Sequence, residues 1–209
     1  MKCKLVIGLI GGMGSGKSLV AHELERRGAK VISGDRLGHE ALRQPEIRDK
    51  LVERWGKQIL DNEGKIDRPK VAAIVFVDPE ERRALEALVH PWIERRLGEE
   101  IAAAEADPAI GLVVLDAAVM LEAGWNKMCE RLVYVDAPRE VRLRRLAKQR
   151  GWTAKEVEAR EKVQMRLADK RKRADDVVDS SGTPEQLTDQ VERLLQRWAS
   201  QKVNRQLPD

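Results

Sequence analysis

Continuous apolar runs, rather than alternating ones, mark the candidate strands of this chain. They fall at residues 5–10, 30–33, 112–116, 131–136 and 176–179. A strand covered on both faces needs apolar side chains on both, so runs of this kind predict a parallel sheet. Helical patterns lie between them. Residues 18–27 carry Leu19, Val20 and Leu24 and stop at Gly28, a residue suited to the left-handed turn that ends a helix. Alternating strand and helix predicts a doubly wound α/β sheet, whose ligands bind at the carboxyl ends of the strands.

Two stretches are too long for simple crossovers. Residues 37–105 hold several helical pieces, punctuated by Pro45, Gly56, Gly64, Pro79 and Pro91. They predict a helical substrate lobe over residues 36–106. Residues 139–173 break at Gly151 and Trp152, after which Thr153, Ala154, Lys155 and Glu156 spell a capping box that opens a new helix. This segment is expected to form a basic helical hairpin that serves as a lid. The core is then assigned to residues 1–35, 107–138 and 174–202 of one domain. Thr183, Pro184 and Gln186 signal the last helix, and a frayed tail is expected after Gln201.

Composition sharpens this picture. Of the 209 residues, 42% are hydrophobic, 35% charged and only 3% aromatic, so the core must be mostly Val, Leu, Ile and Ala. No apolar run approaches the roughly 18–20 residues of a membrane helix, so no membrane partner is expected. The start, Met1-Lys2-Cys3-Lys4 before an apolar run, lacks a small-residue cleavage site and flows directly into a glycine loop, unlike a signal peptide. Cys3 and Cys129 have no metal-ligand spacing and are expected to be reduced thiols of a cytoplasmic protein. The net charge is +4, yet residues 139–173 hold 14 Lys/Arg against 5 Asp/Glu. Such a segment fits either a polyanionic partner or a solvated helical face.

The sharpest chemical signal is Gly11-Gly12-Met13-Gly14-Ser15-Gly16-Lys17-Ser18, with a strand before it and a helix after it. This is a P-loop. Glycines let the backbone turn its N–H groups around phosphate oxygens, and the following helix points its positive end at the same anion. Lys17 can reach the β- and γ-phosphates, and Ser18 can ligate Mg²⁺. The fold expected is therefore the P-loop NTPase type: three layers, a five-stranded parallel sheet with helices on both faces, plus the lobe and the lid. A guanine-binding Asn-Lys-x-Asp signature is missing, which disfavours a GTPase switch. Asp35 follows the second strand, where a carboxylate can accept a hydroxyl proton or orient the metal, and where it can also cap the helix from Arg36. Asp116 ends the third strand, the place of a carboxylate that holds Mg²⁺ through water. Arg142, Arg144, Arg145 and Arg150 are candidates for clamping the transferred phosphate, although their spacing cannot put all four on one helix face. His90 precedes Pro91 between two expected helices, and Trp152 marks the lid turn; the residues alone leave the role of Glu122 open.

With these residues in order, the sequence resembles the dephospho-CoA kinase family over residues 5–182. The P-loop matches the family's, with Leu19 where a small residue is usual. Val31-Ile32-Ser33-Gly34-Asp35, the run Gly64-Lys65-Ile66-Asp67-Arg68, Val75-Phe76, Leu85-Glu86, His90-Pro91, Gln164, Ala174-Asp175 and Val177-Val178-Asp179 follow its pattern. The resemblance implies ATP and Mg²⁺ as cofactors and 3′-dephospho-CoA as the acceptor. It implies ATP binding by Gly12, Met13, Gly14, Ser15, Gly16, Lys17, Ser18 and Leu19, catalysis by Asp35, Lys17 and Arg145, and acceptor contacts from Asp35, Arg68, His90 and Glu122. Three places depart from the family. The segment from Asp116 to Glu122 keeps its charged ends but lacks the usual Pro and aromatic, Arg142 replaces a Gln, and Ser180 replaces an Asn near the adenine. Two other readings stand beside this one. One is a kinase for another small molecule, such as a nucleoside monophosphate or a sugar. The other is a P-loop protein that senses nucleotide or binds nucleic acid through residues 139–173, where few aromatics are available for stacking on bases.

Overall fold

The structure, a computed structural model, describes residues 4–204, with side chains to Gln201. In chain order the elements are β1 (Leu5–Gly11), α1 (Lys17–Glu25), β2 (Ala29–Ser33), α2 (Gly34–Ala41), α3 (Pro45–Trp55), α4 (Arg68–Val77), α5 (Pro79–Ala106), β3 (Leu112–Asp116), β4 (Arg131–Asp136), α6 (Arg139–Arg150), α7 (Ala154–Glu161), α8 (Leu167–Lys172), β5 (Asp176–Asp179) and α9 (Pro184–Asn204). The five expected strands form one parallel sheet in the order β2-β3-β1-β4-β5. The central strand β1 pairs with β3 from Leu5 opposite Leu112 to Leu9 opposite Asp116, and with β4 from Ile7 opposite Arg131 to Gly11 opposite Val135.

Successive side chains of a strand point to opposite faces, so a continuous apolar run fills two layers at once. On one face Ile7, Leu9, Val114, Val133, Val135 and Val178 pack with Val20 and Leu24 of α1 and with Val191, Leu194 and Trp198 of α9. On the other, Gly8 leaves room for Met120, Cys129 and Leu132; a Cβ there would lie 2.9 Å from both Cys129 Sγ and Leu132. Burial pushes the Cys129 thiol up to about 12, which makes it a packing residue rather than a nucleophile. Cys3 lies outside the described residues.

The chain divides into two compact units, Met1–Val31 with Asp107–Asp209, and Ile32–Ala106. In the second unit α2, α3 and α4 pack on α5, with Leu37, Ala41, Ile47, Leu51, Trp55, Ile93 and Leu97 buried. Pro45 and Pro79 sit at helix starts, as expected. Pro91 does not punctuate: α5 runs through it for 28 residues, so His90 lies within one helix and not between two. Proline removes one backbone donor, and burial of Val89, Ile93 and Leu97 on either side outweighs that single lost rung.

In the first unit, residues 139–173 form three helices rather than a hairpin of two. The break at Gly151, whose φ is +67°, and the capping box at Thr153 are as predicted. The Glu156 amide donates to Thr153 Oγ1 at 3.3 Å, and the Thr153 amide donates back to the Glu156 carboxylate at 2.8 Å. The same reciprocal pair joins Thr183 and Gln186 at the start of α9. This helix continues to Asn204, into the tail expected after Gln201; the rest of that tail, residues 205–209, lies outside the described residues. Among the described residues no helix is long and apolar enough to cross a membrane.

Candidate active site

The P-loop joins β1 to α1 in a tight turn. Gly14 and Gly16 have φ of +71° and +91°, in the left-handed region that excludes most side chains. Space gives a second reason for glycine. A Cβ on Gly11 would sit 2.6 Å from the Val135 carbonyl, and one on Gly16 2.7 Å from Ser180 Oγ. Lys17 lies across the loop and donates to the carbonyls of Gly12 at 3.1 Å and Gly11 at 3.4 Å. No side chain caps α1, so its first amides are directed at whatever the loop encloses. Ser15 is buried, and its hydroxyl has no hydrogen-bond partner. An orphaned donor, uncapped amides and a lysine in one turn fit a phosphate chain. Ser18 and Leu19 are exposed on the first turn of α1.

The register of β1 with β3 sets Asp116 beside Leu9, at the carboxyl end of the sheet. Among the described residues no cluster of three His, Cys, Asp or Glu is placed to hold a metal. Ser18 and Asp116 carry oxygen donors of the kind that suits Mg²⁺, a cation that takes few protein ligands and fills its shell with phosphate oxygens and water.

Two of the four candidate lid arginines reach the loop. Arg145 donates to the Gly14 carbonyl at 3.4 Å, to Ser180 Oγ at 3.0 Å and to the Ser180 carbonyl at 2.5 Å. Arg142 is buried, donates to the Met13 carbonyl at 3.4 Å and pairs with Glu161, which also receives Arg139 at 3.1 Å. Their three-residue spacing puts both on one face of α6. Arg144 and Arg150 are exposed on other faces, and Arg150 and Arg160 instead lie over the Trp152 ring at 4.9 and 4.1 Å. Ser180 and Glu161 were not singled out as partners of these arginines. Ser180 also donates to the Ser15 carbonyl, tying the last strand's end to the P-loop. Glu122 accepts from buried Lys170 and from the Met165 amide, each at 2.9 Å, and Lys170 also donates to the Ala118 carbonyl at 3.3 Å. Its carboxylate therefore anchors the turn after β3 to α8.

In the second unit the cap of α2 is Ser33, which accepts from the Arg36 amide at 3.2 Å. Asp35 is thus not the cap that its position allowed; it is exposed in the first turn of the helix. Arg68 opens α4 behind its Asp67 cap and lines a cavity of about 390 Å³ together with His39, Arg43 and Lys65. His90 is half-buried in α5 and is not among the residues lining that cavity. Burial holds its pKa below the usual histidine value, with Glu86 and Glu94 opposing.

A parallel sheet that delivers a P-loop, a strand-end carboxylate and loop-bound arginines defines a P-loop kinase of small molecules. The family model for dephospho-CoA kinase (CoaE) matches residues 5–186. A dephospho-CoA kinase of Corynebacterium diphtheriae is 38% identical over 200 residues, covering 94% of this chain and 98% of that one. One of Geobacillus kaustophilus is 37% identical over 197 residues, covering 93% and 96%. A crystal structure of a Thermus thermophilus protein superposes with a TM-score of 0.78 at 37% identity, covering 94% and 98%. The chain belongs to the dephospho-CoA kinase family.

Proposed function

We propose that the chain transfers the γ-phosphoryl group of ATP to the ribose 3′-hydroxyl of 3′-dephospho-CoA, giving CoA and ADP, in the cytoplasm. The family match over residues 5–186 supports the acceptor. The observation that carries the chemistry is Arg145, anchored on Gly14 and Ser180 so that its charge borders the P-loop before any substrate arrives. A cation preorganised in this way stabilises developing charge without reorganising during the reaction.

In this reading the P-loop amides and Lys17 hold the phosphate chain, and Arg145 bears on the group in transfer. Ser18 and, through water, Asp116 would hold Mg²⁺, which would supply positive charge against the phosphate chain. Asp35 accepts the proton of the 3′-hydroxyl as its oxygen forms the new bond to phosphorus and the bond to the ADP oxygen breaks. Its carboxylate is available for this because Ser33 has taken the capping role. Arg68 and His90 hold the acceptor, and Glu122 acts on it indirectly, through the turn it fixes. Residues 36–106 then serve as the acceptor lobe and 139–173 as the lid.

Asp35→Ala tests the assignment of the base. Turnover is expected to fall about 10²–10⁴-fold, while ATP affinity measured by calorimetry stays unchanged. A variant that turns over at the wild-type rate contradicts the role.

A further inference from the structure

The second unit holds a group of cations that the chemistry above leaves largely unexplained. Most of its arginines are matched to carboxylates: Arg36 to Glu40 and Glu100, Arg54 to Glu81, Arg95 and Arg96 to Glu99. Arg43 and Arg68 are different. Both line the cavity of about 390 Å³, and among the described residues neither side chain has a hydrogen bond or an ion pair. Lys65, paired with Glu63, and Arg48, paired with Asp49, line it as well, beside Asp61, whose carboxylate takes the Glu63 and Lys65 amides; Arg43 and Arg68 are left without a counter-ion. Like charges left unpaired around a concavity repel one another in the free protein, and an anion placed between them relieves that repulsion. His39 registers this field: burial first, then Arg68 and Arg43, hold its pKa below the usual value against the opposing pull of Asp35. The lining is not wholly polar, because Leu42 and Ile66 contribute to it.

The cavity also has a fixed offset from the proposed base. Asp35 and His39 stand four residues apart on α2, so they share a face with about 5–6 Å between their Cβ atoms. In a nucleoside 5′-diphosphate, one ribose ring separates the 3′-hydroxyl from the 5′-phosphate, a span of similar length. A nucleotide whose 3′-oxygen meets Asp35 can therefore present its 5′-diphosphate to the cations one helical turn further on.

We infer that this cavity is the subsite for the diphosphate bridge of the acceptor, with Arg43 and Lys65 as binding residues beside Arg68 and with Leu42 and Ile66 meeting the start of the pantetheine arm. The inference rests on the reading that the acceptor is 3′-dephospho-CoA. It gives the lobe a means of telling the full acceptor from its adenosine end alone.

The test uses the full chain with Arg43→Ala and Arg43→Ala/Lys65→Ala, titrated with 3′-dephospho-CoA, adenosine and inorganic pyrophosphate. Removing a charged hydrogen-bond partner is expected to weaken 3′-dephospho-CoA binding about tenfold or more, and to raise its KM alike. Adenosine binding, the KM for ATP and the melting temperature stay unchanged. In the wild type, 3′-dephospho-CoA raises the His39 pKa read by NMR, and adenosine does not. Equal weakening of adenosine and 3′-dephospho-CoA overturns the subsite, as does an unchanged KM for 3′-dephospho-CoA in the double variant. Weakening of pyrophosphate alone also overturns it, in favour of a free-anion site. All three outcomes leave the proposed reaction intact. A wild type that does not phosphorylate 3′-dephospho-CoA removes the reading beneath it.

Discussion

At the scale of single residues, the P-loop is bordered by arginines held by partners far along the chain. Arg145 and Ser180 are 35 positions apart, and no spacing rule connects them. Lys17, Ser18 and Asp35 were legible in the sequence because their places follow from a strand, a turn and a helix in succession. Ser180 and Glu161 were not, because each acts through the tertiary approach of a separate element. Arg145→Lys is expected to lower kcat about 10³-fold, since an ammonium cannot span Gly14 and Ser180 while facing a phosphate; single-turnover kinetics would read it. Ser180→Ala removes one of three anchors and leaves the Gly14 carbonyl and the backbone carbonyl of position 180, and its loss in kcat is expected at roughly tenfold. Glu161→Ala removes the carboxylate of a buried arginine whose Nε already lacks a partner. Breaking such a pair costs on the order of 3 kcal/mol, visible as a fall in chemical-denaturation midpoint.

At the scale of elements, local signals were most reliable where they were reciprocal. The capping box at Thr153 and the box at Thr183 each specify a helix start by two hydrogen bonds, and both are present. Thr153→Ala is expected to destabilise α7 by about 1 kcal/mol, with faster amide exchange confined to that helix. The strands were equally legible, because burial on both faces leaves an unbroken apolar run. Proline was the signal that misled. A single missing donor at Pro91 is weaker than the packing of the 28-residue α5, so helix boundaries in the second unit were set by burial and not by the breaker. The five-residue interruption between α7 and α8 carries no glycine or proline, and it was invisible for that reason.

At the scale of the whole molecule, stability is tied to pH through groups whose pKa values folding lowers. Burial holds His39 and His90 below their ordinary value of 6.5, and the hydrogen bond from Arg27 is the chief cause that holds Glu23 below 4.5. A group lowered by folding contributes stability above its unfolded pKa and loses it as pH falls. The melting temperature is therefore expected to decline in two stages on acidification, beginning below about 6.5 and again below about 4.5. His39→Gln/His90→Gln should flatten the first stage and leave the second. A melting temperature that rises between pH 7 and pH 5 contradicts the lowered pKa values of these histidines.

The identity of the acceptor is the most direct test of the proposed reaction. ADP release, followed by a coupled assay, compares 3′-dephospho-CoA with AMP, shikimate and gluconate at saturating ATP. A lobe built to hold the full acceptor predicts kcat/KM for 3′-dephospho-CoA higher on the order of 10²-fold or more. Equal or faster turnover of any of the other three, or ATP binding with no ADP released to 3′-dephospho-CoA, contradicts it.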